Sequence, residues 1–475
     1  MTAAVAAVDL GATSGRVMLG YVGHDELRLV PVARFPNHPV RVLDGLHWNI
    51  LDLYRNVVVG LGSALREEPD VRSIAVDSWA VDYALIRDGR MLGNPYHYRD
   101  ERTAAGVDAT HTIVGPAELY AANGLQFLPF NTLYQLAAEQ LAGSLAPAQS
   151  ILLVPDLIGY WLTGAMRAEQ TNASTTGLLN VHTGAWDDEL ISRLGLPRGI
   201  FPAVVAPGAT VGTLLPSVMA EIGTDRALPV SAVGSHDTAS AVVAVPATGT
   251  DFAYISSGTW SLVGVELEHP VVSEDSRAAN FTNEGGVDGR IRYLQNVSGL
   301  WLLSESVRSW ERSGEQIDLP TLLHAASAVS SPVPVFDAAD ARFVAPGDMP
   351  ARIAEWCSEH GVAAPQSRAE FVRSILESLA DAYAASIETA AALSGKQISV
   401  IHVVGGGSQN ALLCQLTADR TGRPVLAGPV EATAVGNVLV QARAQGLLAG
   451  DTSLEGLRAI VAKTFAPVRY EPSAR

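Results

Sequence analysis

Val8-Asp9-Leu10-Gly11-Ala12-Thr13-Ser14-Gly15-Arg16 ends an apolar run, Ala3 to Val8, on a carboxylate and turns the chain back through two glycines. Arg16 to Tyr21 resumes as a second strand, so the stretch reads as a β-hairpin. A carboxylate at a strand end suits a divalent cation or a water bound to it, because hard cations take oxygen ligands. The glycines permit unusual backbone angles, and the hydroxyls and backbone N–H groups of the turn can cradle phosphate oxygens. Arg16 adds a charge-assisted donor. An ordinary hairpin turn fits the same residues.

Working outward, the plan returns at mid-chain. Phe252 to Ser257 reads as a strand, Gly258 and Thr259 as a turn, and Ser261 to Glu266 as a strand. Two such hairpins, one opening each half, predict a duplicated α/β fold. Further strands are expected at Ser73 to Val76, Ile151 to Val154, Leu228 to Val233 and Ile398 to Val404. Helices are expected at Ile50 to Glu67, with Asp52 helping to cap its start, at Leu133 to Leu145, at Thr238 to Val245 and at Arg368 to Leu393. Phe201 to Pro216 reads as a loop-rich excursion.

Two more turns can carry chemistry. Gly234-Ser235-His236-Asp237-Thr238 joins a strand to a helix and puts Asp237 at or near the N-cap, facing the sheet edge where α/β proteins bind ligands. A plain cap and a catalytic base both fit Asp237. In phosphoryl transfer such a carboxylate orients the attacking hydroxyl and takes its proton late, so its pKa need not be strongly raised. Gly405-Gly406-Gly407-Ser408-Gln409-Asn410 offers bare backbone between a strand and a helix that starts near Asn410. It falls short of a dinucleotide fingerprint, because Asn410 stands where the last glycine belongs.

Composition prunes the alternatives. The 475 residues exceed a single core and call for two or three domains; 48% are hydrophobic and only 17% charged, which excludes a disordered chain. A net charge of -17 and the lack of any Lys/Arg run argue against nucleic acid or an anionic membrane as partner. Lysine occurs only as Lys396 and Lys463, and Gly395-Lys396-Gln397 fails the Walker A pattern. The protein-kinase set, HExxH and GxSxG are absent too. Any ATP must therefore be handled by loops, metal and arginine. Cys357 and Cys414, with no CxxC partner, read as buried thiols in a reducing compartment. Met1 to Leu10 lacks a basic n-region, and Ile151 to Met166 is broken by Pro155 and Asp156, so a soluble, cytoplasmic protein is expected.

The hairpins and the Gly-Gly-Gly-Ser turn together resemble the sugar kinase, Hsp70 and actin superfamily. Within it the chain is similar to the FGGY carbohydrate kinases, and most to the branch that phosphorylates L-rhamnulose. Ordered stretches carry this likeness: VDLGATSGR (8–16), VDSWAVDY (76–83), YRDERT (98–103), QFLPFNTLYQL (126–136), TNASTTG (171–177) and SHDTASA (235–241). SSGTWSL (256–262), TNEGG (282–286), NVSGLWLL (296–303), HVVGGGSQN (402–410) and AGPVEA (427–432) complete it.

The resemblance implies two ribonuclease H-like domains with an intervening catalytic cleft. Residues 1–246 would form the sugar-binding side and 247–475 the nucleotide side, with the last helix free to cross back. It implies ATP and Mg²⁺, with Asp9 on the metal and Ala12, Thr13, Ser14, Gly15 and Arg16 on the phosphates. Thr259 would reach the phosphates too, and Ser304 and Gly406 the nucleoside. Asp237 would be the proton acceptor, with His236, Thr238, Asn296 and Ala80 on the sugar. Trp79, Arg99, Asp100 and Gln126 lie in stretches expected on that side. The implied reaction moves the γ-phosphoryl of ATP to the C1 hydroxyl of L-rhamnulose, in L-rhamnose catabolism. Two departures stand out: Ala80 replaces the glycine of Trp-Gly-Val-Asp, and Ser304 replaces a glutamine. The first leaves room for another ketose, such as L-fuculose or L-xylulose. From a different class, an actin- or Hsp70-like ATPase switch would use the same nucleotide cleft.

Overall fold

The computed structural model describes residues 2–23 and 26–473. The chain forms two compact units, the first from Met1–Thr248, Glu266–Tyr293 and Glu431–Thr464, the second from Gly249–Val265, Leu294–Val430 and Phe465–Arg475. The sequence placed one boundary between 246 and 247; past it, the chain re-enters the first unit twice.

In the first unit, β1 (Ala3–Leu10), β2 (Ser14–Val22) and β3 (Leu27–Pro36) run antiparallel, and β4 (Val71–Ser78) lies parallel to β1. With β5 (Thr210–Thr213) and β6 (Pro229–Ser231) the sheet order is β5-β6-β4-β1-β2-β3. Every residue of β1 from Ala4 onward is buried. That is why it reads as an apolar run rather than an alternating one: both faces of a central strand are covered. Helix α1 (Ile50–Glu67) lies over this sheet with its buried residues on one face. Asn49 rather than Asp52 occupies its N-cap, with no side-chain cap bond. Asp52 sits in the first turn instead, where it opposes the helix dipole and pairs with Arg55 at 2.6 Å. The helix expected over Leu133 to Leu145 ends at Ala142, because Gly143 adopts φ 78° and stops it. The excursion near Phe201 to Pro216 holds short strands, Val204–Val205 and β5.

The second unit repeats the plan. β7 (Phe252–Ser257) and β8 (Trp260–Leu267) form an antiparallel hairpin, and β10 (Val400–Val404) and β11 (Val425–Ala427) extend it in parallel. With β9 (Ile291–Ser298) beside β8 and β12 (Val468–Tyr470) at the far side, the order reads β9-β8-β7-β10-β11-β12, and the short strand Thr282–Gly285 adds a seventh outside β9. In both units a third, second, first and fourth strand follow one another across the sheet. The long helix Arg368–Ser394 starts at a capping box between Ser367 and Glu370. Cys357 and Cys414 are buried free thiols. No helix among the described residues is long and apolar enough to cross a membrane.

Candidate active site

Asp9 ends β1, and the parallel register sets Asp77 of β4 directly beside it. Ser78 bridges in turn to His236, its N–H donating to the Ser235 carbonyl at 2.9 Å. Three neighbouring chain segments thus deliver Asp9, Asp77 and Asp237 to one sheet edge, where open α/β sheets bind ligands.

Asp9 and Asp77 are buried, at 2% and 0% exposure. Burial lifts Asp9 to about 6; Arg16 pulls it back, while Asp237 and Glu431 push it up. Burial, with Asp9 next, holds Asp77 well above the usual carboxylate range. Asp77 Oδ2 accepts from Asn437 at 2.5 Å, and Gln441 donates to Asn437 Oδ1 at 2.7 Å. Asp77 Oδ1 has no hydrogen-bond partner, and neither has Asp9 Oδ2, which faces Arg16 Nε at 3.1 Å outside hydrogen-bond geometry. The Arg16 guanidinium also pairs with Glu431.

The turn after Asp9 is pinned by Asn37. Its N–H donates to the Thr13 carbonyl at 3.0 Å and its side-chain amide to the Gly11 carbonyl at 3.0 Å. Ala12, Thr13 and Ser14 stay at least partly exposed, whereas Gly15 is buried so close to Phe35 that a Cβ would collide with the ring.

Asp237 is the first residue of a short helix, α2 (Asp237–Val243), and His236 is the N-cap, so Asp237 lies next to the N-cap, as the sequence implies. Its Oδ1 accepts the Thr238 N–H at 2.8 Å; Oδ2 accepts nothing from the described residues, and the side chain keeps 26% of its surface open. Burial raises its pKa, and the Thr238 N–H bond and the Arg292 charge draw it down again. The turn before it is anchored by Glu169, whose Oε2 accepts from Ser235 N at 3.0 Å, Ser235 Oγ at 2.8 Å and Thr171 Oγ1 at 2.6 Å. That bond set gives the Thr171-Asn172 stretch its structural reason. His236 and Thr238 contact each other at 3.1 Å, and Arg292, 0% exposed, reaches both.

Trp79 lies two residues past Asp77, its N–H donating to the Leu10 carbonyl at 3.2 Å. Its indole lies 4.0 Å from that of Trp48, and both indole N–H groups donate to Asp82 Oδ2, at 3.1 and 2.6 Å. Between them and Asp82, Val81 has φ 66° while Asp82 N donates to the Ala80 carbonyl at 2.9 Å. This is a tight γ-turn in a backbone region that a β-branched residue rarely visits. Thr132 and Gln135 donate to the Val81 carbonyl and hold it there. Asp100 was expected on the sugar side, but its two oxygens accept from Leu46 N at 2.8 Å and Arg102 N at 3.1 Å, which makes it a clamp on the local backbone. Gln126 is buried, and the Arg99 guanidinium sits 5.0 Å from the Tyr98 ring centre.

The remaining expected residues belong to the second unit. Thr259 forms the β7–β8 turn, and its carbonyl accepts Trp301 N at 3.1 Å, at the start of the helix Trp301–Arg312 that carries exposed Ser304. Asn296 is half-buried on β9. Gly405 (φ 82°) and Gly407 pack on Ser257 at the end of β7, while a Cβ on exposed Gly406 would meet nothing within 4 Å. Ser256 and Val404 are register partners, so the Thr259 and Gly405–Gly407 turns leave the sheet at the same edge. Open backbone at Gly406 fits a ligand of nucleoside type approaching this edge.

No group of three or more His, Cys, Asp or Glu side chains forms a metal cage among the described residues. Asp77 Oδ1, without a hydrogen bond, and Asp9 Oδ2, held only by its ion pair with Arg16, fit Mg²⁺ nonetheless, since that ion commonly takes one or two carboxylates and completes its shell with water and phosphate oxygens. Asp77, Asn437, Asn37, Glu169 and Arg292 were not singled out by the sequence reading. Asp77 was visible as the first of two acids in VDSWAVDY, but only strand register shows its neighbour.

Models of the N-terminal and C-terminal domains of the FGGY family of carbohydrate kinases match residues 5–244 and 253–445. A rhamnulokinase of Bacteroides thetaiotaomicron is 41% identical over 469 residues, covering 98% of this chain and 95% of that protein. One from Pectobacterium atrosepticum is 43% identical over 478 residues, covering 99% and 93%. Among solved structures, a ligand-bound xylulose kinase from Lactobacillus acidophilus matches with a TM-score of 0.79 at 15% identity, over 99% of this chain and 94% of that one. Glycerol kinase from Plasmodium falciparum with ADP gives 0.77 at 14%, over 99% and 94%. At such identities the structures speak for the fold alone, the two-domain fold of sugar kinases. Matched across both domains and nearly end to end by its relatives, the chain belongs to the FGGY family of carbohydrate kinases.

Proposed function

We propose that this kinase transfers the γ-phosphoryl group of ATP to the C1 hydroxyl of L-rhamnulose, giving L-rhamnulose 1-phosphate in cytoplasmic L-rhamnose catabolism. The observation that carries the reading is the 41% to 43% identity to rhamnulokinases over nearly the whole chain. Residues 1–246 chiefly serve the acceptor and 247–475 the nucleotide, with Ala12 to Arg16 and Asn296 as the exceptions. Asp237 Oδ2 accepts the hydroxyl proton as the sugar oxygen bonds to the γ-phosphorus. The bond from that phosphorus to the β–γ bridging oxygen breaks, and ADP leaves with its electron pair. Oδ1, fixed by the Thr238 N–H, keeps the open oxygen aimed and ionised. His236, Thr238, Asn296 and Ala80 orient the sugar. Ala12 to Arg16 and Thr259 hold phosphate oxygens, and Ser304 and Gly406 border the nucleoside. Asp9 Oδ2 and Asp77 Oδ1 are the atoms available to Mg²⁺, which when bound neutralises charge on the β- and γ-phosphates.

The test is product identification by ³¹P and ¹³C NMR after incubation with ATP and L-rhamnulose. A phosphate coupled to C1 supports the reading. Phosphate on another carbon, or none with L-rhamnulose while another ketose is phosphorylated, refutes it; Ala80 is the observation that makes L-fuculose or L-xylulose the second reading.

A further inference from the structure

Arg292 is a buried arginine whose role the transfer chemistry does not require. Its guanidinium is 0% exposed and spends its donors on four groups. Nε donates to the Gly285 carbonyl at 2.9 Å and Nη1 to Thr238 Oγ1 at 2.6 Å. Nη2 donates to His236 Nδ1 at 3.0 Å and pairs with Glu284 Oε2 at 3.1 Å. His236 Nδ1 also has Glu284 Oε2 at 3.3 Å, but the Arg292 donor is nearer and already neutralises that carboxylate; arginine cannot accept, so Nδ1 takes the acceptor role and the ring proton sits on Nε2. That Nε2–H faces Thr238 Oγ1 at 3.1 Å. The Thr238 oxygen therefore receives two donors, from His236 and from Arg292, and both its lone pairs are taken. Its own proton can only be given away. One residue earlier, the open oxygen of Asp237 can only accept.

We infer that Arg292 is a positioning residue that polarises the Thr238 hydroxyl into an obligate donor beside the acceptor carboxylate of Asp237. The pair then selects an acceptor substrate of one chemical class: a reacting hydroxyl, whose proton goes to Asp237, next to a second oxygen that accepts from Thr238. For a ketose phosphorylated at C1 that second atom is the C2 oxygen. The inference rests on Asp237 being the base, and Asp237→Asn is measured alongside so that the two can fail separately.

The experiment is a mutant cycle on the full chain, with kcat/KM for the sugar and KM for ATP as readouts. Thr238→Val should lower kcat/KM for the sugar about tenfold, the worth of one hydrogen bond, and Thr238→Ser should restore it. Arg292→Met should cost about tenfold or more in the parent but less than about threefold in the Thr238→Val background, because both remove the same interaction. Arg292→Lys keeps the charge opposite Glu284 but cannot bridge His236 and Thr238 at once, so it should fold and still lose activity toward the sugar. KM for ATP should hold within about twofold in each variant, which a general structural defect would not allow. Equal losses from Arg292→Met with and without Thr238, or a Thr238→Val enzyme of normal kcat/KM, would overturn the inference. So would an Arg292→Lys protein that does not fold, which would make Arg292 a purely structural ion. Retained activity in Asp237→Asn would instead sink the base assignment beneath it.

Discussion

Asp9 and Asp77 face each other across parallel strands, each with one buried carboxylate oxygen that no hydrogen bond satisfies. Two buried acids side by side are mutually repulsive and desolvated, and a divalent cation relieves both penalties. Asn437 takes up the second oxygen of Asp77, which leaves Oδ1 as its available ligand.

Loss of either carboxylate should therefore show in the metal dependence. Asp77→Asn should raise the Mg²⁺ concentration for half-maximal rate by at least about tenfold, and Asp9→Asn at least as much. Titration of activity against Mg²⁺ at saturating ATP decides this. An unchanged Mg²⁺ midpoint in both variants would contradict the site.

The same burial makes the metal-free protein sensitive to pH. Asp9 and Asp82 are both raised from 3.8 to about 6, chiefly by burial, so the folded state favours their protonated forms. Their contribution is fully present below 3.8 and is lost as pH rises through about 6. Without Mg²⁺, Tm should fall between about pH 4 and pH 6 and level off above. Asp9→Asn should flatten part of that slope, and added Mg²⁺ should restore stability at pH 7. A Tm that climbs over this interval without metal would show the sign to be wrong.

Asp237→Asn should lower kcat by about a hundredfold to ten-thousandfold, the usual worth of a general base, with ATP binding nearly intact. Stopped-flow or coupled kinetics with a nucleotide-binding control reads both. Near-normal turnover would return Asp237 to the status of a helix residue.

Two glycines separate folding from ligand contact. A Cβ at Gly436, in the helix Ala432–Ala444, would run into the Ser240 carbonyl of α2. Gly436→Ala should therefore destabilise the unit and displace Asp237, cutting soluble yield and kcat together. At Gly406 the Cβ would meet nothing. Gly406→Val should keep the wild-type Tm while raising KM for ATP, and an unchanged KM would place the nucleoside elsewhere.

How much of this was legible depended on the range over which each feature is encoded. The β7 strand was read to the residue, and the first hairpin to within two, because apolar runs ending on glycine turns are local signals. Asp237 was legible as a polar residue at or near a helix start, and it is the first helical residue, beside His236, which caps the backbone without a side-chain bond. Asp77, Asn437 and Arg292 escaped for another reason. Each acquires meaning only through a partner far along the chain: Asn437 meets Asp77 across 360 residues, and Arg292 meets His236 across 56. Asp100 lies in a stretch that the family resemblance puts on the sugar side, and two backbone N–H groups donate to it, from Leu46 and Arg102. No local pattern distinguishes these cases.

Ala80→Gly tests how the pocket chooses its sugar. Removing one methyl beside the γ-turn should shift discrimination between L-rhamnulose and L-fuculose by about tenfold or more, the worth of a methylene-sized change in a fitted pocket. If neither kcat/KM moves, Ala80 does not face the acceptor.

The most direct test of the whole account is ATP-dependent ADP release across a panel of ketoses, measured as kcat/KM in a coupled assay. The account predicts that L-rhamnulose exceeds L-fuculose and L-xylulose by at least about tenfold, with little ADP formed when no sugar is present. A faster rate with another ketose, or ADP release indifferent to sugar, would contradict it.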